Sequence, residues 1–148
     1  MAGAPPPDAA SVRDGLAFGV LDASALLALI YGERGVERVH AAIRRGALIS
    51  IVNWAETLSR MTELGERVET AVPRVRTQVD TLGTLRVVPF DERDAVEAAR
   101  LRMLTRHLGL SLADRACLAL GRLHRVPVLT TDRAWRSLRI SVRIDVIR

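Results

Sequence analysis

A chain of 148 residues with 49% hydrophobic and 26% charged side chains has the length and composition expected of one soluble domain that buries a core. Its formal net charge is +5, and all 22 basic residues are arginine. The absence of lysine excludes P-loop phosphate binding and Schiff-base chemistry, and the single cysteine, Cys117, excludes an internal disulfide.

No apolar run is long enough to span a bilayer, and the first residues lack the charged start and apolar stretch of a secretory signal. A cytoplasmic protein with no membrane association is therefore expected. No Cys/His spacing resembles a zinc site, and neither a dinucleotide-binding glycine loop nor a nucleophile elbow is present. The arginine excess fits a solvated surface and a nucleic-acid footprint equally well.

Residues 1–15 contain three consecutive prolines and small side chains, which predicts a mobile tail, with the folded domain spanning residues 16–148. An apolar run at 17–21 reads as a strand and leads into a leucine- and alanine-rich helix at 22–31. Residues 36–45 place Val36, Val39, Ala42 and Ile43 at helical spacing. A second strand is predicted at 48–52, then a helix from Asn53 to Leu64. A further amphipathic stretch at 68–82 contains Pro73, which should kink or open it. Residues 85–88 read as a third strand. A helix opened by Asp91, Glu92 and Asp94 runs to about His107, with acids suited to its dipole. Ser111 opens the next helix, residues 126–130 form a fourth strand, and 142–146 alternate like a half-exposed fifth. Strands separated by helices imply crossovers and a mostly parallel sheet covered on both faces.

Against this frame, four acids stand where an apolar run gives way to a helix or turn: Asp22, Glu56, Asp114 and Asp132. At the carboxyl ends of parallel strands, such positions converge on one edge. Each acid alone is accounted for by capping. Asp22 can cap its helix, Glu56 follows Asn53 and Asp114 follows Ser111 by three residues as in a capping box, and Asp132 can cap the turn after it. A cap need not be charged, however, and four junctions supplying four carboxylates make an acidic pocket suited to a hard divalent cation.

The segments 20–29, 53–56, 110–120 and 128–135 resemble, in order and spacing, the four motif blocks of PIN-domain ribonucleases, in particular the VapC toxins of bacterial toxin–antitoxin pairs. The likeness covers about residues 16–148. It implies a three-layer α/β/α fold with a five-stranded, mostly parallel sheet, Mg²⁺ or Mn²⁺ dependence, endonucleolytic cleavage of RNA, a homodimer, and neutralisation by a cognate antitoxin protein. Carried onto this chain, it makes Asp22 and Asp114 the direct metal ligands, with Glu56 and Asp132 completing the catalytic acids. Residues 1–15 have no counterpart in the compact family pattern.

Around these acids, Ser24, Thr130 and Thr131 carry hydroxyls that can orient a carboxylate or a water, or simply cap. Trp54 and Trp135 can stack on a base, although core packing is the commoner fate of tryptophan. Arg133, Arg136 and Arg139 can hold an RNA backbone or face solvent. Cys117 reads as a small core residue, and His40, His107 and His124 share no ligand spacing. Aspartyl-phosphate domains also place acids at strand ends, but those families use a lysine that is absent here. A catalytically silent PIN fold that binds RNA or a protein partner is the other reading these residues allow.

Overall fold

The computed structural model describes residues 17–148, so the tail expected over residues 1–15 lies outside the described part of the chain. The elements follow in the order β1 (Gly19–Leu21), α1 (Ala23–Tyr31), α2 (Val36–Arg45), β2 (Ala47–Ser50), α3 (Ile51–Glu63), α4 (Val68–Asp80), β3 (Leu85–Val88), α5 (Glu92–Leu104), α6 (Leu112–His124), β4 (Val128–Thr130) and β5 (Ile144–Val146). Short 3₁₀ turns at Arg106–Leu108 and Arg133–Ser137 follow α5 and β4. The five strands form one wholly parallel sheet in the order β3-β2-β1-β4-β5. This is the expected three-layer α/β/α architecture.

Strand alternation builds the two cores. Val20, Leu48 and Val128 point to one face and pack with Leu101, Leu118, Leu120 and Trp135, under α5 and α6. Their neighbours Leu21, Ile49 and Leu129 point to the other and join Leu26, Ile43, Met61 and Val75, under α1 to α4. Because side chains alternate along a strand, a continuous apolar run is what a sheet buried on both sides requires.

Strands one, four and five each begin two residues later than expected, and three further departures have a clear physical reason. The second strand stops at Ser50, whose hydroxyl accepts the Val52 N–H at 3.2 Å and so caps α3. Ile51 and Val52, β-branched and expected in the strand, form the first turn of α3 instead. Asn53 is therefore inside the helix and is not a cap. Pro73 neither kinks α4 open nor ends it. The carbonyl that loses its partner, that of Glu69, is on an exposed residue where water can replace the bond, while Ala71, Val75 and Val79 hold the opposite face in the core. The helix expected to run to His107 closes at Leu104 and tightens into the 3₁₀ turn.

The order of the strands fixes where a site can be. The chain starts at the central β1, moves outward through β2 and β3, then returns to the other side of β1 with β4 and β5. The crevice at the carboxyl ends of β1 and β4 is the switch point of the sheet. Asp22 follows the last residue of β1, and Asp132 follows β4 by two residues.

Two glycines set close approaches between elements of the sheet and its helices. Gly35 has φ +93° at the start of α2, where a Cβ would stand 2.1 Å from the Ile147 carbonyl oxygen. At Gly121, in α6, a Cβ would meet Val128 Cγ2 at 2.4 Å and Val142 Cγ2 at 3.2 Å. The valine at 128 is fully buried in β4 and has no space to yield. We expect Gly121→Ala to lower stability by about 1–3 kcal/mol, the usual cost of overpacking, even though alanine is the better helix former by up to about 1 kcal/mol. A urea denaturation midpoint equal to or above that of the parent chain would contradict this.

Candidate active site

Asp22 is the deepest of the four acids, 5% exposed, and it caps α1. Its Oδ1 accepts the Ser24 hydroxyl at 2.7 Å and the Ala25 N–H at 2.8 Å, and its Oδ2 accepts the Thr130 hydroxyl at 2.5 Å. The same two hydroxyls tie β4 to the site: Ser24 Oγ accepts the Thr131 N–H at 2.9 Å and Thr130 Oγ1 accepts the Asp132 N–H at 3.1 Å. Ser24 and Thr130 thus hold Asp22 directly. Thr131 contributes through its main chain.

Asp114 sits in the first turn of α6 in a reciprocal capping box, its N–H bonded to Ser111 Oγ and its Oδ2 accepting the Ser111 N–H at 3.0 Å. Asp132 caps the 3₁₀ turn, with Oδ1 accepting the Ala134 N–H at 2.9 Å. Glu56 has no capping role, because α3 starts at Ile51; its half-buried side chain lies in the second turn. All four acids line one cleft of about 320 Å³, together with Ser24, Leu27, Arg60 and the buried Trp135.

The cleft is electrostatically strained. Burial raises the Asp22 carboxyl from 3.8 to about 6, the charge of Asp114 adds to the rise, and the bonds from Thr130, Ser24 and Ala25 oppose it. Burial also raises Glu56, with Asp114 again adding, while Arg60 and Asn53 act the other way. The buried Cys117 thiol is pushed up by burial first and then by the charges of Asp22, Asp114 and Glu56. Three acids therefore project negative potential onto a single point in the core. That uncompensated charge, carried by hard oxygen donors, fits a divalent cation. Among the described residues no three acid, histidine or cysteine side chains already stand together as a ready ligand set. A cation such as Mg²⁺ keeps most of its waters and uses only one or two carboxylates, which is compatible with that spacing.

Two residues outside the expected site set belong here, Arg60, which the sequence did not single out, and Asn53, which it offered only as a cap. Arg60 lines the cleft; it follows Glu56 by four residues, the spacing that puts two helical side chains on one face, and that signal was available. Asn53, fully buried, donates from Nδ2 to the Ala113 carbonyl at 3.0 Å and so joins α3 to α6 one residue before Asp114. Its depth had no sequence signal. Arg133, Arg136 and Arg139 remain exposed and are not part of the cleft lining. Trp54 is buried with the Arg76 guanidinium 4.6 Å from its ring centre, so it packs in the core.

Between 3.8 and about 6 the folded chain binds more protons at Asp22 than the unfolded chain does, so this group's contribution is full below 3.8 and is lost as pH rises through about 6. The loss amounts to about 3 kcal/mol. Asn at this position keeps the shape and removes the charge. We expect the melting temperature of Asp22→Asn, measured without metal, to exceed that of the parent chain by a margin that grows from about pH 4 to about pH 7. A margin that stays constant over that range would show that Asp22 ionises without penalty.

The geometry can be set beside known proteins. The PIN domain family matches residues 19–140, a span that contains all four acids. The fold is similar to that of a toxin–antitoxin complex from Klebsiella pneumoniae, at 20% identity over 85% of this chain and 99% of that one, with a TM-score of 0.61. It is also similar to DNA-bound VapBC from Salmonella typhimurium, at 14% identity over 86% and 96% of the two chains and a TM-score of 0.64. FitAcB from Neisseria gonorrhoeae gives 20% identity, 86% and 96% coverage and a TM-score of 0.62. No curated protein matches the chain by sequence. Identities this low speak to the fold alone, whereas the family match runs through most of the sequence. The chain, with its wholly parallel sheet and its acids gathered at the switch point, belongs to the PIN-domain family.

Proposed function

We propose that this protein is a divalent-metal-dependent endoribonuclease and the toxin of a VapBC-type toxin–antitoxin pair. The observation that carries the reading is the cleft in which Asp22, Glu56, Asp114 and Asp132 meet, with Asp22 raised by burial and by the charge of Asp114. The fold neighbours support it from another side, since they include toxin–antitoxin complexes. Mg²⁺, with Mn²⁺ as a substitute, is the ion this reading requires, and Asp22 and Asp114 are the residues that would hold it.

When bound, such an ion supplies a water of lowered pKa and neutralises charge building on a phosphodiester. The chain's own side chains do the rest. Ser24, Thr130 and the Ala25 N–H fix the direction of the Asp22 oxygens, so no rearrangement is needed to present them. Glu56, raised above its ordinary value by burial, is suited to take the proton of the attacking water as the water oxygen bonds to phosphorus, one ester P–O bond breaks and the leaving oxygen takes a proton from solvent. Asp132, anchored by the Ala134 N–H, closes the acidic wall.

The proposal includes a homodimer in the cytoplasm and a protein antitoxin. For the antitoxin contact we favour a helix laid in the groove beside α1 and α3. Tyr31 at the end of α1, Leu64 after α3 and Val68 at the start of α4 expose large apolar surfaces there, and the Tyr31 hydroxyl bonds Glu66 Oε1 across the junction. Co-expression of the neighbouring antitoxin should give a stable complex whose crosslinks map to these elements. Crosslinks confined to residues 142–147 would contradict the placement.

Asp22→Asn and Asp114→Asn should each reduce cleavage of mixed RNA by at least about a hundredfold while circular dichroism stays unchanged, because losing even an outer partner of a metal ligand costs up to that much. Full activity of both variants at saturating Mg²⁺ would remove the two aspartates from catalysis, whereas a parent chain that binds mixed RNA and does not cleave it with either ion would favour the catalytically silent reading. Mg²⁺ or Mn²⁺ should also raise the melting temperature of the parent chain by mass action, and raise that of Asp22→Asn less. Equal shifts in the two proteins would place the ion elsewhere.

A further inference from the structure

The cleft lining contains four carboxylates and one cation, Arg60. A nucleic-acid strand is a polyanion, so the approach to this acidic mouth is unfavourable unless a cation receives it. Arg60 is free to do so. Its ion pair is with Glu63, Nη1 to Oε2 at 3.4 Å, between side chains 59% and 65% exposed. A pair that exposed contributes little and exchanges readily. The guanidinium also acts on Glu56, lowering the carboxyl that burial and Asp114 raise, so its charge is felt inside the cleft.

We propose that Arg60 is the phosphate anchor of the substrate strand: it leaves Glu63 and grips a phosphate next to the one being cleaved. The planar guanidinium suits this, since it presents two parallel N–H donors to a phosphate, whereas a lone ammonium offers a point charge. Glu63 is then a competing ligand that holds the anchor while the cleft is empty. The assignment rests on the ribonuclease reading, and it makes Arg60 a binding residue whose contact is the same before and during cleavage. Such a contact appears in KM and not in kcat.

The alternative role for Arg60 is to tune Glu56 alone, and the two roles separate in kinetics. With a single-stranded oligouridylate as substrate, Arg60→Ala should raise KM about tenfold or more with a much smaller change in kcat. Its affinity, read by fluorescence anisotropy with Ca²⁺ in place of Mg²⁺, should show a log–log salt slope shallower by about 0.7, the share of one phosphate contact on a single strand. Arg60→Lys should keep the parent slope with an intermediate KM, and Glu63→Gln should lower KM below that of the parent. A fall in kcat and a displaced pH profile in Arg60→Ala, with KM and salt slope unchanged, would overturn the anchor role and assign Arg60 to Glu56. If the parent chain neither cleaves nor binds mixed RNA or the oligouridylate, the ribonuclease reading fails and the anchor with it. If the parent cleaves and Glu63→Gln weakens binding, only the exchange between Glu63 and phosphate is overturned.

Discussion

A carboxylate buried at the end of the central strand is the constraint on which this structure turns. Asp22 sits between β1 and α1, almost out of contact with water, where an isolated charge costs far more than a domain's net stability can spare. Three donors make it tolerable, one from its own helix, one from Ser24 and one from β4. Those bonds require α1 to begin where it does and β4 to lie beside β1. The pairing of Val20 with Val128 and Leu21 with Leu129 is thus reinforced at its carboxyl end by a polar clasp.

The acids that line the cleft also hold the fold together. Asp22, Asp114 and Asp132 each close a helix or turn start, satisfying N–H groups that have no partner within the helix. At Asp114 and Asp132 the cap uses one carboxylate oxygen, so it steadies a side chain that also lines the cleft. The exception is Glu56, which caps nothing; the Asn53 amide, one turn earlier on α3, favours its charged form. Its position depends on the contact of α3 with α6, where the buried Asn53 amide meets the Ala113 carbonyl.

Much of this was legible in the sequence, and the limits have physical causes. Asp22, Asp114 and Asp132 could be placed because each follows an apolar run or a serine at a spacing that only a strand end or a cap explains. The sheet could be placed because its strands are apolar on both faces. Ser50 was missed as a cap because the Ile51 and Val52 beyond it have strand propensity, which tertiary packing overrode. Pro73 misled because its penalty depends on whether the orphaned carbonyl is wet, and exposure is not written in a local window. That Arg133, Arg136 and Arg139 stay out of the cleft while Arg60 enters it depends on how α3 is rotated, which no stretch of sequence states. The roles assigned to the acids are a proposal, distinct from the observation that they meet.

Gly121 shows how far from the cleft its alignment is decided. A helix is a stiff rod, and Gly121 lies seven residues beyond Asp114 on the same rod, about 10 Å along its axis. It rests against Val128 with no side chain between, so the spacing of α6 from the sheet is as small as backbone allows. The other end is tied at Ala113. α6 thus behaves as a lever whose fulcrum is an absent methyl group, and a shift there of about 1 Å is of the size that costs a reacting geometry up to about a hundredfold. The reach from Asp114 to Asp22 is therefore adjusted from behind the sheet, by a residue that contributes no atom to the cleft.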